Sequence, residues 1–147
     1  MRNVLILIAA VFVFTSCQDP TARNTDSGVR DVPTAVREIT PAEAQVQVSK
    51  AYSQFVDVRT PEEYASGHAP RAINIPLDTL DANLDRLERN EPIYFICESG
   101  NRSKKAADKL KEAGFNNVAS VQGGTAAWKA AGLPVETVPP HGGTKDR

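Results

Sequence analysis

Between positions 40 and 132 the apolar residues fall into short runs separated by polar links containing glycine or proline. Gln54-Phe55-Val56-Asp57-Val58, Ala72-Ile73-Asn74-Ile75-Pro76, Pro92-Ile93-Tyr94-Phe95-Ile96-Cys97 and Asn117-Val118-Ala119-Ser120-Val121 are short and rich in β-branched or aromatic side chains, which predicts strands. The Pro92–Cys97 run is apolar throughout, as in a strand covered on both faces. Helical signals stand between these runs. Thr40-Pro41-Ala42-Glu43 and Thr60-Pro61-Glu62-Glu63 are capping boxes with proline at the first helical position, and Gly67 ends the second helix. Leu80, Leu84 and Leu87 lie on one face of a further helix. A helix from about Arg102 to Ala113, closed by Gly114, carries an inward stripe of Ala106, Ala107, Leu110 and Ala113. A last short helix runs from Thr125 to Ala131, before Gly132. Alternating strands and helices with short links predict an α/β fold, a single domain with a central parallel β-sheet flanked by helices on both faces. Ligands of such sheets sit beyond the carboxyl ends of the strands. Cys97 stands at one of those ends.

The two chain ends follow other patterns. Val4 to Phe14 is an unbroken run of eleven apolar residues behind Arg2, followed by Thr15-Ser16 and Cys17. This has the charged, apolar and small-residue regions of an export signal, and it is too short to span a bilayer as a helix. Phe14-Thr15-Ser16-Cys17 also resembles a bacterial lipobox, in which the cysteine is diacylated and becomes the new N-terminus. Phe14 stands there in place of the usual leucine. The expected organisation is a signal peptide over 1–17, a flexible tether over 18–37, the folded domain over 38–138 and a disordered tail over 139–147. The expected location is outside the cytoplasm, on the periplasmic or cell-surface side, held to a bacterial membrane through acyl chains on Cys17.

Composition narrows the function. The 147 residues carry 17 Lys+Arg against 18 Asp+Glu, a formal charge of −1. Setting Arg2 aside leaves 16 against 18, or −2. Such balance gives no support for nucleic-acid binding or for a polybasic membrane patch. The two cysteines, 80 positions apart, exclude a disulfide-dense scaffold and a cysteine-based zinc site.

The chemistry concentrates in Cys97-Glu98-Ser99-Gly100-Asn101-Arg102-Ser103. A buried strand delivers a thiol to a tight loop, and a helix begins where the loop ends. Amides of such a loop can converge above the sulfur as an anion cradle. The helix N-terminus adds about half a positive charge and Arg102 a full one, and both favour thiolate over thiol. Gly100 allows the turn a positive φ. The alternative for Cys97 is a small core hydrophobe at a strand end.

Several motifs in order resemble the rhodanese-like sulfurtransferase family in its single-domain form, over roughly residues 38 to 138. They are Asp57-Val58-Arg59 with Pro61-Glu62-Glu63-Tyr64, Gly67-His68-Ala69-Pro70-Arg71-Ala72-Ile73-Asn74-Ile75-Pro76, the Cys97–Ser103 loop, and Gly114-Phe115 with Gly123-Gly124 and Ala127-Trp128. The resemblance implies sulfur transfer. Cys97 would take the outer sulfur of a donor such as thiosulfate or a persulfide and hold it as a persulfide. It would then pass the sulfur to a thiol, small or protein-borne, or to cyanide. Glu98, Ser99, Gly100, Asn101, Arg102 and Ser103 would bind the anionic sulfur, as an oxyanion hole holds developing charge. The resemblance implies neither a metal nor an organic cofactor. The loop has six residues from Cys97 through Arg102, the sulfurtransferase span, whereas phosphatases of the same fold carry a longer loop. A binding module without turnover is the other reading, although such modules usually lack the cysteine.

Glu98 departs from the pattern, since many thiosulfate-using members carry a basic residue there. It reads either as a carboxylate that repels dianionic donors or as a solvated surface group. Asp57 and Arg59 end a strand on the site's side and either brace the loop or pair with Glu62 or Glu63. His68 is expected to tie loop backbone, Trp128 to sit in the core, and Lys104-Lys105 to attract anions or simply to solvate the helix. His141 lies in the tail with no assigned role.

Overall fold

The computed structural model describes residues 35–138. Cys17, the signal-like run, most of the tether and the tail lie outside the described residues. Among the described residues no helix is long and apolar enough to cross a membrane.

Five strands form one sheet in the order β1-β5-β4-β2-β3: β1 Arg37–Ile39, β2 Gln54–Asp57, β3 Ile73–Asn74, β4 Ile93–Ile96 and β5 Val118–Val121. Every neighbouring pair is parallel. The helices are α1 Pro41–Val48, α2 Pro61–Ser66, α3 Asn101–Glu112 and α4 Gly124–Ala130. Alternation along β4 divides its side chains between two apolar layers. Ile93, Phe95 and Cys97 join Val56, Val58, Leu80, Ala106, Ala107 and Leu110 on one face, and Tyr94 and Ile96 join Phe55, Ala44, Val48 and Trp128 on the other. The sheet is therefore covered on both sides, which is why its central strand reads as a continuous apolar run.

Both capping boxes form. The Thr40 N–H donates to Glu43 Oε2 at 2.8 Å, and the Thr60 N–H donates to Glu63 Oε2 at 3.0 Å. Each threonine hydroxyl accepts from the N–H three residues on, at 3.3 Å. Trp128 is buried and its Nε1–H donates to Pro134 O at 2.8 Å. His68 is buried, stacks on Tyr64, and shares a 2.9 Å hydrogen bond between Nδ1 and Tyr64 O, so its ring ties the backbone of α2 and not that of a loop.

The leucine stripe does not form an α-helix. Leu80–Arg86 is a 3-10 segment broken at Asn83. The Asn83 side-chain amide donates to Thr79 O at 2.7 Å and so takes the carbonyl that the Asn83 backbone N–H would use in an α-helix. Leu80 and Leu87 are buried all the same.

Candidate active site

β4, flanked by β2 and β5, ends at Ile96, and Cys97 follows with none of its surface exposed. The chain then turns through exposed Glu98 and Ser99 to Gly100, whose φ of +94° is a left-handed conformation that glycine takes without strain. This turn points the Gly100 N–H back at the sulfur, and it donates to Cys97 Sγ at 3.1 Å. Ser103, one helical turn into α3, places Oγ 3.5 Å from the same sulfur. One amide and one hydroxyl therefore meet Sγ directly. Ser99 and Asn101 are exposed and are not among its hydrogen-bond partners.

The start of α4 anchors the loop from the next strand crossing. The Thr125 N–H donates to Cys97 O at 2.6 Å and the Ala126 N–H to Glu98 O at 3.1 Å. This close approach needs Gly124, because a Cβ there would overlap the Cys97 carbonyl and come within 2.7 Å of Glu98 C.

Two guanidiniums stand beside the loop, and both are held by carboxylates. Arg59 is 1% exposed. Its Nε–H and Nη2–H donate to Asp57 at 3.0 and 2.7 Å, its Nη2–H also reaches Gly67 O at 2.8 Å, and its Nη1–H reaches Glu98 Oε2 at 3.2 Å. Burial alone would push this guanidinium down. The Asp57 hydrogen bonds and charge, with Glu98 and Glu63 behind them, reverse that and raise it above its ordinary value. Asn74 locks the same corner, donating to Asp57 O at 3.0 Å and Arg59 O at 2.9 Å. Asp57 and Arg59 thus brace the loop through Glu98, and their alternative pairing with Glu62 or Glu63 is not made. Glu98 is an ion-pair partner, although half of its side chain is exposed.

Arg102 turns away from the sulfur in its direct bonds. Its Nη1–H and Nη2–H donate to the two Glu63 carboxylate oxygens at 2.7 and 2.6 Å. That fork, aided by the Thr60 N–H and the charges of Arg102 and Arg59, holds the Glu63 carboxyl down at about 2, from an ordinary 4.5. Arg102 is correspondingly raised, chiefly by the Glu63 hydrogen bond. Glu63 reads in the sequence as a capping residue and as a possible partner of Arg59, not of Arg102. Its pairing with Arg102 had no local signal, since that partner lies 39 positions away.

A carboxyl lowered in the folded state stabilises the fold above its unfolded value, and that contribution disappears as pH falls towards the folded value. Glu63→Gln is therefore expected to unfold more easily than wild type at pH 7, by about 1 kcal/mol for a pair exposed by a third on each side. The gap should close between about pH 4.5 and pH 2. Urea unfolding across that range checks it, and a gap independent of pH would contradict it.

A cavity of about 320 Å³ opens beside the loop, lined by Val58, Thr60, Pro76, Leu77, Asp78 and Arg102. Of its lining residues Val58 stands nearest to Cys97 along the chain pairing, since it follows the Asp57 position that pairs with Ile96, while Cys97 itself does not line the cavity. Among the described residues no His, Cys, Asp and Glu cluster could hold a metal ion.

A cysteine at the carboxyl end of the central strand of a parallel α/β sheet, with the loop before α3 folded back on its sulfur, fits a rhodanese-type domain. Residues 40–131 match the Rhodanese-like domain family, and the chain belongs to it. It is 34% identical over 100 residues to the thiosulfate sulfurtransferase GlpE of Actinobacillus pleuropneumoniae, covering 68% of this chain and 93% of that one. It is 40% identical to thiosulfate sulfurtransferase 16, chloroplastic, of Arabidopsis thaliana, over 56% of this chain and 79% of that one. Among solved structures, a rhodanese-related protein from Thermoplasma volcanium matches with a TM-score of 0.63 at 34% identity, over 68% of this chain and 97% of that chain.

Proposed function

We propose that this protein is a sulfurtransferase that carries a sulfane sulfur on Cys97. The observation that supports it most is the Gly100 N–H that donates to Sγ where the loop begins, with Ser103 Oγ 3.5 Å from the same sulfur. A backbone donor fixed before the reaction stabilises a sulfur anion without reorganising at the moment of attack. The cycle is two nucleophilic attacks on the sulfane sulfur, each breaking one S–S bond. The Cys97 thiolate attacks the outer sulfur of the donor, an Sγ–S bond forms, and the remainder of the donor departs with the electron pair as sulfite or as a thiolate. An acceptor thiolate or cyanide then attacks the outer sulfur, and Sγ leaves as thiolate. Cys97 has none of its surface exposed, so donor contact requires the groups that cover it to move aside.

The charges favour an organic persulfide over thiosulfate as donor. Three carboxylates (Asp57, Glu63, Glu98) face two guanidiniums (Arg59, Arg102), and both guanidiniums are already paired. Asp78 adds a further carboxylate on the cavity wall. A volume of about 320 Å³ suits an organic ligand better than a small inorganic dianion.

Sulfur transfer to cyanide, compared between thiosulfate and a low-molecular-weight persulfide, tests this reading. The expected result is the higher kcat/KM with the persulfide. Glu98→Gln, which keeps an acceptor for Arg59 while removing the charge, is expected to lower KM for thiosulfate about three- to tenfold at low ionic strength and less at physiological salt. Transfer from neither donor would leave the binding-module reading.

A further inference from the structure

Ser120 lies in the middle of β5, where Val118, Ala119 and Val121 are apolar and all four residues are buried. A bare hydroxyl in such a strand is costly to bury unless it is bonded. Its partner is Ser103: the two Oγ atoms are 2.8 Å apart. Ser103 is in turn 2.9 Å from Gly100 O and 3.5 Å from Cys97 Sγ. The sulfur is thus the end of a polar file that enters the core as far as β5.

Counting hydrogens sets the direction of that file. Each serine has one hydroxyl hydrogen. If Ser103 donated to Ser120, the Ser120 hydrogen would have no acceptor in a buried site. If Ser120 donates to Ser103, both hydrogens are used, because Ser103 can donate to Gly100 O. Only the second arrangement satisfies every group. The Ser103 hydrogen then has two acceptors within reach, the Gly100 carbonyl and the sulfur. Turning it to the sulfur leaves Gly100 O satisfied, since that oxygen also accepts the Lys104 N–H at 3.1 Å.

We propose that Ser120 is a positioning residue for Cys97, fixing the Ser103 hydroxyl as a donor that turns from the Gly100 carbonyl to Sγ when the sulfur is anionic. No covalent bond changes in this step; one O–H rotates. Ser120 acts by polarising Ser103, because a hydroxyl that accepts a hydrogen bond is a stronger donor. The inference rests on the reading of Cys97 as the reacting thiol and adds a residue that touches neither donor nor acceptor.

The test is the pH profile of iodoacetamide alkylation at the Cys97 peptide of the full-length chain, read by mass spectrometry so that Cys17 does not contribute. Ser120→Ala is expected to move the midpoint up by about 0.3–0.5 of a pH unit, as loss of one cooperative bond to a charge-assisted donor implies. Ser103→Ala should move it further. Adding Ser120→Ala to Ser103→Ala should cause no additional shift, and Ser120→Thr, which keeps the hydroxyl, should restore the wild-type midpoint. A change in packing alone would lower the melting temperature without this pattern. A wild-type midpoint in Ser120→Ala, or an equal shift with Ser103 absent, overturns the inference. Should Ser120→Ala not fold, an unchanged midpoint in Ser103→Ala overturns it equally. If wild type takes up sulfur and Ser120→Ala keeps its profile, only the inference fails. If wild-type Cys97 neither alkylates nor takes up sulfur, the sulfurtransferase reading fails and the inference with it.

Discussion

Cys97→Ser is expected to lower sulfur transfer from any donor by at least about three orders of magnitude while leaving the fold intact. A serine hydroxyl is a weak nucleophile at neutral pH and cannot form the S–S bond on which the cycle turns. The fold should survive because the replacement is close in size and the buried hydroxyl inherits hydrogen-bond partners, the Gly100 N–H and Ser103 Oγ. Transfer assays paired with thermal unfolding separate the two effects. Turnover at the wild-type rate in this variant would remove Cys97 from the mechanism.

Asp57→Ala is expected to destabilise the protein by about 3–5 kcal/mol, a large share of the typical 5–15 kcal/mol of a domain. The mechanism is an uncompensated charge. Arg59 is buried, and Asp57 supplies its forked acceptor and also accepts the Arg59 backbone N–H at 3.0 Å. Removing the carboxylate leaves Gly67 O and the half-exposed Glu98 to hold a buried cation. Asp57→Ala combined with Arg59→Met should recover part of the loss, because an apolar side chain of comparable length does not demand a counter-charge. Urea denaturation of the single and double variants checks both statements. A double variant no more stable than the single would show that the carboxylate holds something other than Arg59.

The parts of this architecture legible in the sequence are those with local signals. The fully apolar β4 run, the two Thr-Pro-x-Glu caps and the small-residue stripe of α3 each specify their element within a few residues, and all form. β1 had no such signal. Of Arg37, Glu38 and Ile39 only Ile39 is buried, so an edge strand that pairs with β5 looks like linker. The 3-10 segment failed for a related reason, since the leucine spacing is helical while the Asn83 side chain captures a backbone carbonyl. At the site, Cys97, Gly100 and Ser103 were legible because strand, loop and helix are contiguous. Asp57 and Arg59 were legible as candidates to brace it, but the partners were not. Arg59 meets Glu98, and Glu63 meets Arg102, each across 39 positions, and only the parallel crossover brings them together. Ser120 left one trace, a polar residue within an otherwise apolar buried strand.

The most direct measurement is the mass of the Cys97 peptide after the full-length protein is incubated with a low-molecular-weight persulfide and freed of excess donor. A gain of one sulfur, discharged by cyanide and missing in Cys97→Ser, is the predicted outcome. An unchanged peptide mass after persulfide and thiosulfate alike would contradict the assignment of Cys97 as the sulfur carrier.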